Sequence, residues 1–330
     1  MTKIKIIVIV TAVYTALWAQ NYKIDNEINS IAIELNDLLV NCKFDKAYEL
    51  SDELLRKNPD QPLFYYLSLA SIGLKALDFD EIVDKEKFNK IYEQGMEKVN
   101  LMLKSEADNC DLLMIKGFLM STNASFMLIG GKYASGINAG SKSLDVLRAA
   151  NSCDGENYDV EYYLGFYNYA QAELRRRLGV LFWLPKNSEN GIAALEKCVK
   201  SAKFMNRAAE MVLADVFVRE GKLEKTNEIL PGLLKKYPES RFLLWTKMRY
   251  EFAAKDDFSA INTAVFISKS YLRDGAFHNA VMVLEEARKM SGMRKFPKEI
   301  RNEISESHNV IDKKNLSNSD ARTFNSLTKE

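Results

Sequence analysis

The chain has 330 residues, of which 47% are hydrophobic and 28% charged, with 15 Gly and 6 Pro. Such a composition builds a sizeable globular core and excludes a disordered or collagen-like chain. With 46 basic against 45 acidic side chains, no global field recruits nucleic acid, and no nucleic-acid partner is expected.

The first twenty residues, MTKIKIIVIVTAVYTALWAQ, differ from everything after them. Lys3 and Lys5 form a short basic region, Ile6 to Thr15 is apolar, and Ala19 precedes a candidate cleavage point, so residues 1–19 read as a secretory signal peptide. The apolar run is short for a membrane span, which needs about 20 residues. Leu17 is bulky for the −3 position, which leaves an uncleaved membrane anchor as the alternative. Removing residues 1–19 takes the formal charge from +1 to −1. The expectation is a periplasmic or otherwise extracytoplasmic protein with no stable membrane insertion once the signal is cleaved.

Beyond residue 20 strand signals are nearly absent, and apolar residues recur at helical spacing in segments divided by short Gly, Asn, Asp or Pro breaks. Near the N-terminus, Leu38, Phe44, Ala47, Leu54 and Pro59 fall in one register. Leu213, Ala214, Phe217, Gly221, Leu230 and Pro238 repeat it, and Ser268, Tyr271, Gly275, Ala280, Leu284 and Ala287 follow the same offsets. The pattern resembles the tetratricopeptide repeat, a 34-residue helix–turn–helix with a small residue in the middle of its first helix. The match is closest over Arg207–Ser240 and Ile261–Gly292 and looser between Gln61 and Phe204, where Leu35 and Thr226 elsewhere also depart from the small residues of the pattern. The resemblance implies an all-α, right-handed superhelical solenoid of helical hairpins over residues 20–291, with elongated hairpins in its middle. Each pair buries its apolar face on the next. FPKEIRNEISESHNVI supplies a capping helix within 292–312, with Ile300 and Ile304 facing inward. The polar segment 313–330 reads as a disordered tail.

In the middle of the chain, GGKYASGINAGSKSLDVLRAA reads as a second helix of a pair. Its glycines lack the spacing of a phosphate-binding loop, and helix packing around Gly136 and Gly140 explains them. Next comes VEYYLGFYNYAQAELRRRLG, which sets five aromatic rings within eight residues before three arginines. If Gly165 holds the small mid-helix position, the resemblance places Tyr162, Phe166 and Tyr169 on the concave face of the solenoid, with Tyr163 at its edge. Arg176 and Arg177 would then hold a carboxylate or acidic segment of a bound peptide, and Trp183 in the following apolar insert is a further docking candidate. The competing reading makes the rings a packing seam and the arginines a solvated run, with Arg177 pairing with Glu173.

Cys42, Cys110, Cys153 and Cys198 have no metal-ligand spacing. A hairpin that brings the start of one helix and the end of the next together makes Cys110–Cys153 a candidate disulfide, with free thiols as the alternative. His278 and His308 are the only histidines and have no evident nucleophile or carboxylate partner. No catalytic, metal or cofactor site is predicted. The expected role is a non-enzymatic scaffold or adaptor that binds a protein or peptide through its concave face. The alternative is an extracytoplasmic carrier of a small apolar ligand serving a transporter, with a pocket near Tyr163 and Tyr167.

Overall fold

A computed structural model describes residues 34–35, 37–153, 158–178, 188–202, 206–308 and 317–328. The signal segment 1–19 and Trp183 lie outside these residues. Every regular element among them is an α-helix, and the protein is an all-α assembly of successive antiparallel helices. Helix α1, described at 34–35 and 37–40, is followed by α2 (Phe44–Lys57), α3 (Pro62–Phe79), α4 (Lys85–Ser105), α5 (Cys110–Ile129), α6 (Tyr133–Cys153), α7 (Tyr158–Leu178) and α8 (Glu189–Ser201). Then come α9 (Asn206–Arg219), α10 (Leu223–Lys236), α11 (Arg241–Ala253), α12 (Asp257–Arg273), α13 (Phe277–Met290), α14 (Lys298–His308) and α15 (Asn318–Thr328). The chain divides within α9 into two compact units, Met1–Leu213 and Ala214–Glu330.

Two kinds of turn recur among the described connections. Helices α1, α5, α9 and α11 pass to the next helix through a residue in the left-handed region: Cys42, Gly131, Gly221 and Lys255 have φ of 60°, 75°, 71° and 62°. At each, the amide one residue further on donates to a carbonyl five positions back, as in Lys222 N to Phe217 O at 2.7 Å and Asp256 N to Glu251 O at 2.9 Å. That closure satisfies the last carbonyls of the finished helix. The described connections after α2, α4 and α10 are short extended turns, two of them carrying Pro59 and Pro238, whereas α12 passes to α13 through left-handed Gly275.

In the first unit, α3, α5 and α7 form one row and α2, α4, α6 and α8 the other. Helix α3 is apolar almost all round, with 15 of its 18 residues buried, and is enclosed by α2, α4 and α5. Tyr66 of α3 meets Phe118 of α5 at 5.6 Å between ring centroids, and Phe118 meets Tyr163 of α7 at 4.9 Å. Phe88 of α4 stacks on Phe126 of α5 at 3.8 Å. Gly136 lets α6 come down on α5, since an added Cβ would sit 2.7 Å from the Leu128 side chain. The tightest approach is between α7 and α8, where a Cβ on Gly191 would meet the Gly165 carbonyl oxygen at 2.6 Å and the Tyr169 amide nitrogen at 2.7 Å.

In the second unit two ion pairs join positions 34 residues apart: Arg249 of α11 donates to Asp215 of α9 at 2.7 Å, and Lys269 of α12 to Glu303 of α14 at 2.7 Å. The 34-residue spacing thus joins α9 to α11 and α12 to α14. The sequence register pairs α12 with α13, and these two helices do form a closely packed hairpin. Gly275 (φ 76°) closes the α12–α13 turn with the same left-handed geometry that Lys255 gives the α11–α12 turn, where no glycine signals it. Helix α12 packs on both neighbours, and Ser268 donates to Ala280 O at 2.9 Å across the closely packed α12–α13 pair.

Helix α14 buries Phe296, Ile300 and Ile304 around its start and along its inner face, as its spacing predicts, and packs on α12. The tail departs from expectation. Residues 318–328 form helix α15, which packs on α13 and α14. Its polar composition conceals a narrow apolar stripe in which Ala321 and Phe324 are half-buried and Leu327 is fully buried. The last helix also begins with a cap: Asp320 N donates to Ser317 Oγ at 3.1 Å.

Substituting Gly191 by Val should cost at least about 2 kcal/mol of unfolding free energy, because the clash is with backbone and cannot be relieved by a rotamer change. Gly232, in an exposed stretch of α10 with open space around its Cα, should gain about 0.5–1 kcal/mol on replacement by Ala. Denaturant unfolding of both variants checks the contrast.

Candidate functional site

The aromatic cluster is interior. Tyr162 and Tyr163 are 0% and 2% exposed, and Phe166 and Tyr169 are buried with them. Two close approaches produce this result. Phe118 closes on Tyr163 from α5, and Tyr162 meets Tyr163 edge-on at 5.1 Å. On the other side, the Gly165–Gly191 crossing brings α8 against the backbone at Tyr169. Burial pushes the Tyr163 phenol well above its ordinary pKa, helped by the neighbouring Tyr66 and Tyr162, so it stays neutral. The four rings named as a contact surface are thus a packing seam. Gly165 does act as a small mid-helix position that lets α8 approach closely, yet the rings beside it are covered.

The arginines divide. Arg176 bridges to Glu173 at 2.8 Å; the carboxylate is buried and the guanidinium half-exposed. The partner of Glu173 is thus Arg176, three residues on, in addition to any contact from Arg177, whose side chain lies outside the described residues. The α5–α6 hairpin brings the start of α5 and the end of α6 to one end, the premise behind the Cys110–Cys153 pair. The Cys153 side chain is also outside the described residues, and with it the bridge.

Three features were not singled out from the sequence. The first is a buried charge cluster on α9 and α11. Asp215 accepts from Arg219 Nε at 2.5 Å and from Arg249 Nη1 at 2.7 Å, and Arg249 lies 5.3 Å over the Trp245 ring. Burial alone raises the Asp215 carboxyl, but the two guanidiniums outweigh it and hold the group below its ordinary pKa. Next to it, wholly buried Arg241 at the start of α11 donates to Asp274 at 2.5 Å and Ser270 at 3.0 Å and covers the Tyr271 ring. These contacts fasten α11 to both neighbours. The sequence signal was present in the 34-residue spacing of Asp215 and Arg249.

The second is a cleft of about 210 Å3 between α2, α3 and the start of α4, with Phe44 and Ile72 in its floor. Its rim is charged. Lys75 pairs with Asp45 at 2.6 Å, and Lys87 stands 3.6 Å over the Tyr48 ring. Burial, the largest influence, raises the Tyr48 phenol's pKa. The cleft is remote from Tyr163 and Tyr167 and suits a small polar molecule better than an apolar one.

The third is a set of exposed apolar side chains: Leu101 on α4, Tyr133 and Ile137 on α6, Phe258 and Phe266 on α12, and Met290 at the end of α13. Five of these six stand on even-numbered helices. Phe258, Asn262, Phe266, Lys269 and Arg273 follow one another at three- and four-residue steps and so share one face of α12. They escaped the sequence reading because they lie off the apolar stripe that forms the core.

No protein-family model matches the chain, and no curated protein resembles it at a significant level.

Asp215→Asn should cost about 3–5 kcal/mol at neutral pH, since it leaves two buried guanidiniums without their anion. The sign with pH follows from the depressed carboxyl. Its stabilisation is fully present above the unfolded pKa of about 3.9 and is lost as pH falls through the lower folded value. Urea unfolding should therefore show a constant gap between wild type and variant from about pH 7 to 5 that narrows below about pH 4. A gap that widens on acidification would contradict the charge assignment.

Proposed function

We propose that the protein is a non-enzymatic, extracytoplasmic scaffold of stacked helical hairpins that binds a protein or peptide partner. The observation that supports this most is the repeat itself. Successive helix pairs, joined at 34-residue intervals by Asp215–Arg249 and Lys269–Glu303, make a long surface out of local contacts, the usual basis of recognition by solenoids. The resemblance to tetratricopeptide repeats supports the same reading and implies a right-handed superhelix. The basic–apolar N-terminal segment supports export, with retention by an uncleaved anchor as the alternative.

The contact face we assign differs from the one the resemblance implies. The Tyr162–Tyr169 rings are committed to packing, whereas large apolar side chains on α6 and α12 are left to solvent. Phe258 is 68% exposed and Ile137 is 54% exposed. Rings and branched side chains in such positions are the ordinary marks of an interaction surface. The charges further along the α12 stripe are already paired, Lys269 with Glu303 and Arg273 with Glu239 and Asp274, so the rings carry the contact and suit an apolar partner segment. The cleft at α2–α4 favours a second reading, carriage of a small molecule, but with a polar rather than an apolar ligand.

The double variants Phe258→Ser/Phe266→Ser and Tyr133→Ser/Ile137→Ser should each leave the melting temperature nearly unchanged. At least one should weaken capture of the physiological partner from envelope extracts by about tenfold or more, near 1.4 kcal/mol. Equal capture by wild type and both variants would remove the α6 and α12 patches from consideration.

A further inference from the structure

Helix α15 stands against α13 as the next helix of the odd-numbered row, where a further repeat would place its first helix. Its hold on that position is specific in chemistry and small in extent. Asp320 Oδ1 lies 2.8 Å from His278 Nδ1 of α13, and Ser317 Oγ donates to the other carboxylate oxygen at 2.6 Å. Asp320 is buried, yet the His278 side chain is 60% exposed. One turn and two turns further along come Phe324, half-buried, and Leu327, at 1% exposure. The opposite side of α15 carries Ser319, Arg322, Asn325 and Ser326, all exposed. Among the described residues, α15 rests on α13 and α14 through half-buried Ala321 and Phe324, fully buried Leu327 and the contact of Asp320 with an exposed imidazole, a narrow stripe for a helix of its length. What favours closure is the covalent tether, which sets a high effective concentration.

From this geometry we infer that the exposed end of α13, with His278 at its edge, is a helix-docking site, and that α15 is its built-in occupant. The partner it fits is an amphipathic helix with a carboxylate in its first turn and apolar residues four and seven positions later, the arrangement of Asp320, Phe324 and Leu327. The carboxylate seats on His278, and the apolar pair replaces Phe324 and Leu327. A partner helix with a longer apolar stripe displaces α15, so the scaffold is capped when empty and extended by one helix when occupied. The inference deepens the scaffold reading and rests on it for its biological meaning. Its test uses the protein's own helix, so failure of the docking site and failure of the partner hypothesis are separable.

The chain has two histidines, which makes the His278 ring signals readily assigned reporters by NMR. In the full-length Leu327→Asp variant, and independently in Asp320→Lys, the ring signals should move away from their wild-type positions while the cooperative unfolding of the remaining helices persists. An acetylated peptide of residues Ser317–Thr328 added to either variant should return them toward the wild-type position in a saturable way. The same peptide carrying Asp320→Asn should bind about tenfold more weakly, and one carrying Leu327→Asp should have no effect. Wild-type protein, whose own α15 competes, should respond only at much higher peptide concentration. Ring signals unmoved by both substitutions would overturn the docking contact. Failure of the wild-type peptide to restore them, or restoration by a scrambled peptide, would overturn the exchangeable site.

Discussion

Helix α3 has no polar face. Fifteen of its 18 residues are buried, so its apolar surface is satisfied only if other helices enclose it from several directions. An isolated hairpin cannot do this, because it covers one side and leaves the others wet. The two-row arrangement of the first unit follows from that requirement: α2 and α4 cover α3 from the even row and α5 lies beside it in the odd row. Helix α5 repeats the demand. It is long and apolar enough to cross a membrane by length and composition, but most of its apolar window is buried among its neighbours. The aromatic chain Tyr66–Phe118–Tyr163 follows the line along which these odd helices meet.

The same requirement explains where recognition is and is not to be sought. In tetratricopeptide proteins the first helices line a hollow, and the rings of α7 sit where that hollow would be sought. Here the residues that approach α7 most closely are a large aromatic, Phe118, on one side and a glycine, Gly191, on the other. The first fills the space beside Tyr163 and the second removes the space beside Tyr169. Four of the five rings of the cluster are then covered and Tyr167 is half-buried, while α4, α6 and α12 retain large apolar side chains exposed to solvent. In the second unit the odd row is fastened by charge instead: Asp215 between Arg219 and Arg249, and Arg241 on Asp274. Buried ion pairs of this kind add less to stability than hydrophobic packing does and more to register.

Much of the architecture was legible in the sequence. Helical spacing, the glycine at 221, and the prolines at 59 and 238 mark the alternation of turns, and Ile300 and Ile304 announce the inward face of α14. The turn between α11 and α12 was not legible, because its left-handed position at Lys255 carries a side chain whereas the one at Gly275 has the expected glycine. Helix α15 was hidden for a different reason. Its stripe is three residues wide and its remaining positions are Ser, Asn, Asp, Thr and Arg, so composition outweighs period. For the candidate surface, the sequence identified rings in abundance but not their surroundings. Whether an aromatic stripe is a seam or a groove depends on the neighbouring helices, and Phe118 and Gly191, both distant in sequence, decide it. Leu35 and Thr226, which break the small-residue pattern, are both fully buried without disturbing their helices.

The account turns on which rings water can reach. Hydroxyl-radical footprinting with residue-level mass spectrometry measures that directly on the native protein. The account predicts rapid modification of Tyr133, Phe258 and Phe266, with Tyr66, Tyr162, Tyr163 and Tyr169 protected until the chain unfolds. Modification of the Tyr162–Tyr169 rings as fast as that of Tyr133 would show an open aromatic groove in place of the buried seam and contradict it.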